Sequence, residues 1–334
     1  MSEALRVREV DVMRGLLAIL VVVGHSLQQL PGAFGAPGDF LEALIYSFHM
    51  PAFVFVAGFC SGRLLTLETV AEKGSFIGRR AVRLLVPYVV WGALYFALRA
   101  VAGEAARVPY EYDHLVFFLF GYNPDGAMWF VWALFVSTLL LVPVVKRCVS
   151  LGTLVVLYSF TVMADFLLLE PTIIVKALYS LPLYVFFLAL GLWTRRHQER
   201  IAGLVSRRGP FWLAIGVFAL AFALLRMDFL HPFPWYSITS LAAVFILLKV
   251  AKGILDRIPQ LTSGLSCIGA EAMAVYVLGE PVKVALRLAF ARLGVPAAVA
   301  FPLMIVGILT VTLLISRRLL SRLPRLRLLL LGEG

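Results

Sequence analysis

Residues Arg8–Leu27, REVDVMRGLLAILVVVGHSL, decide how the rest of the chain is read. Charge at Asp11 and Arg14 gives way to an unbroken apolar run from Gly15 to Gly24. A stretch of about 18 to 20 mainly apolar residues is what a helix needs to cross a ~30 Å hydrocarbon core. The segment near 12–30 therefore reads as a membrane-crossing helix. A cleaved leader is the other candidate, since Arg6 and Arg8 precede the run and small residues follow it. His25, Gln28 and Gln29 interrupt what would be a plain apolar leader, so the helix is read as retained.

The same texture continues outward. The chain has 334 residues, of which 61% are hydrophobic and 15% charged, with a mean hydropathy of +0.94. Soluble domains are nearer half apolar and a quarter charged. Further helices are expected near 40–62, 81–103, 127–145, 149–169, 173–193, 209–227, 233–251, 265–290 and 296–316. A weaker apolar patch, Leu115–Phe120, reads as re-entrant or interfacial. The stretch 316–334 mixes arginine with leucine, as an amphipathic cytoplasmic helix on the membrane surface does. No internal repeat or soluble domain is evident, so residues 1–334 form one membrane domain. The expected fold is an all-α polytopic bundle of about ten transmembrane helices.

Charge sets the orientation. With the N-terminus inside, the cytoplasmic segments hold 22 of the 30 Lys and Arg residues, and the outer segments hold Arg99, Arg107, Arg226 and Arg292. That alternation follows the positive-inside rule and places both termini in the cytoplasm. Asp39, Glu42, Glu104, Glu111, Asp113 and Asp125 fall mostly outside. The net charge of +11 is spread over short tracts between apolar runs, which argues against nucleic acid. Cys60, Cys148 and Cys267 match no metal or disulfide spacing and read as small hydrophobes. No metal site is implied.

Ionisable groups at membrane depth are costly and mark function by default. Arg14 and His25 are eleven residues apart, about three helical turns, so they share a face roughly 16 Å apart along the axis. On the second helix, descending from outside near Phe40, His49 reaches a similar depth about 14 Å down. Burial disfavours the charged imidazolium, and a neutral imidazole can act as a general base. Packing across helices is the competing role for both. Pro51 removes the hydrogen bond to the Ser47 carbonyl, which must then face protein or a watery cavity. Asp11 and Arg14 are spaced to pair. Arg79, Arg80 and Arg83 suit a phosphorylated donor, although topology alone accounts for them. Glu280, Lys283 and Arg287 lie along one face of the ninth helix, either lining a pocket or satisfying each other.

These residues also carry a resemblance. REVDVMRGLLAILVVVGHSL resembles the first helix of the membrane-bound acyltransferase-3 family, whose Arg/Lys-x10-His motif is matched by Arg14 and His25. YSFHMPAFVFVAGF (Tyr46 to Phe59) is similar to that family's FHMP-type second helix, with His49 and Pro51 in place. RRAVRLLVPY (Arg79 to Tyr88) and MWFVWALF (Met128 to Phe135) resemble its third and fourth helices. Length and helix count fit the whole chain, and the look is nearest to fucose 4-O-acetylase-type sugar acetyltransferases. One departure is Gly279, which stands where members often carry a late histidine.

The resemblance implies transfer of an acyl group, acetyl in the simplest case, from cytoplasmic acetyl-CoA to a sugar hydroxyl of an envelope or lipid-linked glycan. It implies a bacterial inner membrane. In this reading His25 is the general base and His49 assists. Arg14, Arg79, Arg80 and Arg83 hold the CoA phosphates, and Asp11 fixes Arg14. Glu280 and Lys283 are candidates for the acceptor pocket. The alternative from another class is a multi-helix transporter or lipid-carrier flippase, which buried charge also fits.

Overall fold

A computed structural model describes residues 3–30, 32–102, 116, 118–121, 128–148, 150–167, 180–227, 229 and 232–333. The described residues are overwhelmingly helical and contain no strand. The elements are α1 (Glu3–Gln28), α2 (Gly35–Tyr46), α3 (His49–Cys60), α4 (Val70–Ala102), α5 (Trp129–Leu141), α6 (Leu151–Leu167) and α7 (Leu181–Arg196). They continue with α8 (Gln198–Ser206), α9 (Arg208–Arg226), α10 (Pro232–Arg257), α11 (Pro259–Ala270), α12 (Ala272–Arg292), α13 (Ala297–Leu314) and α14 (Pro324–Leu331). The chain is a polytopic helical membrane protein.

Every predicted stretch meets helix, the sixth from Leu181 onward, its first residues lying outside the described set. Among the described residues, six helices are long and apolar enough to cross a bilayer alone, and seven if α11 and α12 form one broken span. The apolar helices at Trp129–Val144 and Leu151–Met163 are shorter. Glu104, Arg107, Glu111, Asp113 and Asp125 also lie outside the described residues.

Two expected helices are broken. The second predicted span divides at Ser47–Phe48, and Pro51 falls in the first turn of α3, where a missing N–H is tolerated. The ninth was expected to run straight over 265–290. It turns by 73° at Glu271 instead. Glu271 is 8% exposed, accepts from Ser316 Oγ at 2.5 Å and pairs with Arg317 Nε at 3.4 Å. The bend places the Glu271 carboxylate where Ser316 and Arg317 reach it.

The chain divides into two compact units. The first comprises Met1–Val56 and His197–Leu319. Its centre is α1, whose Val12, Met13 and Leu17 are fully buried and which packs against α2, α10, α11, α12 and α13. The α1–α11 crossing is close because Gly15 and Gly269 lie in it. A Cβ on Gly15 would strike the Leu265 carbonyl, and one on Gly269 would strike the Asp11 carbonyl. Small residues allow this backbone approach, the usual way membrane helices pack tightly. By contrast α9 is apolar on every side and exposes Trp212, Leu213 and Leu220, as a lipid-facing helix does.

The second unit comprises Ala57–Arg196 and Leu320–Gly334. Here α7 packs on α5 and α6, with the ring of Tyr184 5.9 Å from that of Trp129 and the ring of Phe186 5.4 Å from that of Tyr158. Of the apolar patch expected at Leu115–Phe120, the ring of Phe118 stacks on Tyr88, and Leu119 O accepts from Trp132 Nε1 at 3.1 Å. The tail is more than a surface helix. One side of α14 packs on α4, where Trp91 Nε1 donates to Leu330 O at 3.0 Å, while Leu326 and Leu329 stay exposed.

Candidate active site

The first unit assembles the site from α1, α2, α3 and α12. His25 lies in the last turn of α1 and His49 opens α3. Between them stands Tyr46, the last residue of α2. Its ring centroid is 6.0 Å from that of His25 and 4.7 Å from that of His49, edge-on to both. Two histidines from different helices thus lie against one phenol.

The break between α2 and α3 produces this arrangement. Ending α2 at Tyr46 frees carbonyls that a continuous helix would use. Ile45 O accepts from His49 Nδ1 at 2.9 Å. Ser47 O, the carbonyl expected to be freed by Pro51, accepts from both Thr239 Oγ1 and Ser240 Oγ of α10 at 3.1 Å. His49 is 3% exposed, so its ring is fixed by packing as well as by this bond. A carbonyl only accepts, hence Nδ1 of a neutral His49 carries the hydrogen and Nε2 keeps its lone pair.

His25 is tied differently. Its Nδ1 is 3.0 Å from Tyr46 Oη and 3.3 Å from Gln28 Oε1. Gln28 Nε2 in turn donates to Glu42 Oε1 at 3.0 Å. Gln28, Glu42 and Tyr46 were not picked out as site residues from sequence. The spacing was available: Gln28 is three residues past His25, and Glu42 is four before Tyr46, so each pair shares a helix face. What the sequence withheld was the register that sets Gln28 opposite Glu42.

Glu280 and Lys283 of α12 join the group. Lys283 Nζ is 2.6 Å from Glu280 Oε2, and the two side chains are 6% and 19% exposed. Lys283 is near enough to interact electrostatically with His25, and Glu280 with Tyr46. The pair satisfies itself and lies within electrostatic reach of His25 and Tyr46. Arg287 follows one turn on, partly buried.

About three turns before His25 in α1, Arg14 lies 3.6 Å from Asp11 Oδ1, and its Nη1 donates to Gly269 O at 3.4 Å. Asp11 and the C-terminus of α11 thus hold the guanidinium together.

The three arginines of α4 belong to the second unit and differ from one another. Arg79 is exposed and donates to Ser75 Oγ at 2.6 Å. Arg83 pairs with Glu333 at 3.4 Å. Arg80 is partly buried and makes no hydrogen bond or ion pair among the described residues, and its Nε is shut off from solvent. A guanidinium with neither water nor carboxylate around its Nε is costly unless an anion visits it.

The profile of the acyltransferase-3 family, described as “Acyltransferase domain”, matches residues 7–317. The chain is 31% identical over 137 residues to “Nodulation protein NolL” of Mesorhizobium japonicum, taking in 39% of this chain and 34% of that protein. It is 31% identical over 136 residues to the protein of the same name from Sinorhizobium fredii, with the same coverage. The match thus spans about a third of the length of these relatives. No solved structure matches.

Proposed function

The chain belongs to the acyltransferase-3 family, and on that premise we propose that it moves an acyl group, acetyl in the simplest case, from cytoplasmic acyl-CoA to a hydroxyl of an envelope or lipid-linked glycan in a bacterial inner membrane. The observation that carries the reading is the pair of histidines on either side of Tyr46, one of them with a lone pair assigned to Nε2 by its own hydrogen bond.

In the proposed step, His25 takes the proton of the acceptor hydroxyl as that oxygen bonds to the acyl carbon. The tetrahedral adduct then collapses, the carbon–sulfur bond breaks, and the imidazolium gives the proton to the departing CoA sulfur, so CoA leaves as the thiol and His25 is again a neutral base. No net proton is gained or lost. A general base contributes about 10²–10⁴-fold in such transfers. His49 assists at the same centre, and Glu280 and Lys283 border the acceptor. Arg80, with Arg79 and Arg83, holds the donor phosphates through charge-assisted bonds, and Arg14, fixed by Asp11, orients the donor. Arg80, whose Nε is buried and which has no partner among the described residues, supports the donor half of this reading.

The test is mass spectrometry of envelope glycans from cells with the wild-type chain, with His25→Ala and without the chain. An ester present only with the wild type is expected. Equal ester in all three removes the proposal.

A further inference from the structure

We propose that Gln28 and Glu42 fix where the proton sits on His25, acting as positioning residues that leave its Nε2 as the basic atom. Its catalytic consequence rests on the acyl-transfer reading, whereas the proton position itself does not.

The argument runs from the outside inward. A carboxylate only accepts hydrogen bonds, so the Gln28 nitrogen, 3.0 Å from Glu42 Oε1, is the donor of that contact. This orients the amide and turns its oxygen toward His25 Nδ1, 3.3 Å away. An amide oxygen also only accepts, so Nδ1 carries the hydrogen. A neutral imidazole has one N–H, and Nε2 is left with its lone pair. Tyr46 Oη, 3.0 Å from the same nitrogen, cannot decide the matter, because a hydroxyl both donates and accepts. The glutamate–glutamine pair decides it, and the single Nδ1 hydrogen is then shared between Gln28 Oε1 and Tyr46 Oη, both accepting.

His49 reaches the same tautomer by another route, through the Ile45 carbonyl. Both rings around Tyr46 therefore present Nε2. Removing the partner that fixes a catalytic imidazole's tautomer, with geometry intact, costs up to about 10⁴-fold in a serine protease.

The test is nitrogen NMR of purified chain carrying ring-labelled histidine, with the His25 signal assigned by its loss in His25→Ala. The wild type is expected to show the Nδ1–H pattern at His25. Glu42→Gln preserves shape but lets the amide at position 28 face either way, so an admixture of the Nε2–H pattern is expected. Envelope ester should fall by at least about tenfold. The exchange Gln28→Glu with Glu42→Gln again places an acceptor beside Nδ1 and a donor behind it, and should restore both. A purely packing role predicts that the isosteric Glu42→Gln is silent. An Nε2–H pattern in the wild type overturns the inference even if no variant folds, and so does an unchanged spectrum in Glu42→Gln. Ester lost in His25→Ala yet intact in Glu42→Gln also overturns this inference and leaves the acyl-transfer reading standing. A tautomer that responds as expected, with full ester in His25→Ala, overturns that reading instead.

Discussion

Replacing Arg80 by methionine should stabilise the empty protein and cripple donor binding at once. The side chain is partly buried, and its Nε has neither solvent nor acceptor. A buried donor without a partner costs about 1–3 kcal/mol, and Arg80→Met removes it while keeping an apolar chain of similar length. The ligand-free variant should therefore be more stable by roughly that amount. Donor binding moves the other way. One charge-assisted hydrogen bond to phosphate contributes about 1.5–3 kcal/mol, so its loss raises Kd roughly ten- to 150-fold. Arg79→Ala is the control. Arg79 is exposed and bonded to Ser75, so stability should change by no more than about 0.5 kcal/mol and CoA affinity should fall far less. The assays are thermal unfolding of the purified protein without ligand and direct titration with CoA. A less stable Arg80→Met protein with unchanged CoA affinity would refute the reasoning, because it would show an arginine kept for structure or topology.

His25→Ala should abolish ester formation, by roughly 10²–10⁴-fold, with membrane insertion intact, and His49→Ala should be severely impaired; full activity in His25→Ala would sink the mechanism. Glu280→Gln leaves the ammonium of Lys283 buried without its partner, a change that typically costs about 3–5 kcal/mol, so the double change with Lys283→Gln should recover much of the lost stability in a melting assay. If the pair also borders the acceptor, neither variant should regain full acceptor use, as measured by ester yield at limiting glycan. Reporters fused near Lys73, Arg200 and Lys252 should report cytoplasm and one near Gly35 the outside; a cytoplasmic signal at Gly35 contradicts the assigned orientation.

The parts legible in sequence depend on one helix at a time. The apolar runs and the freed carbonyl of Ser47 follow from rise, turn and proline chemistry. The parts that were not legible depend on a second element. Nothing in Ile268–Ala272 breaks a helix by itself, since no proline is present. The bend at Glu271 comes from α11 lying close on α1 through Gly269 and from Ser316 and Arg317 reaching the carboxylate. The three arginines of α4 look alike in sequence, because a topology signal and a phosphate site call for the same residue type. They separate only when Ser75 and Glu333 are seen to occupy two of them. The tail reads as amphipathic by pattern, yet the partner of its buried face, Trp91, is 239 residues away.

Because Thr239 and Ser240 hold the Ser47 carbonyl, the hairpin bearing both histidines is not a transferable cassette. Grafting α1–α3 onto another bundle would carry the imidazoles across but leave that oxygen bare in an apolar medium. The junction would then regain helix or collapse, and His49 would swing off its anchor. A minimal or redesigned version of this centre has to bring the hydroxyl pair of α10 with it, though α10 contributes no reacting group. The unit of inheritance for the chemistry is therefore larger than the set of residues that perform it.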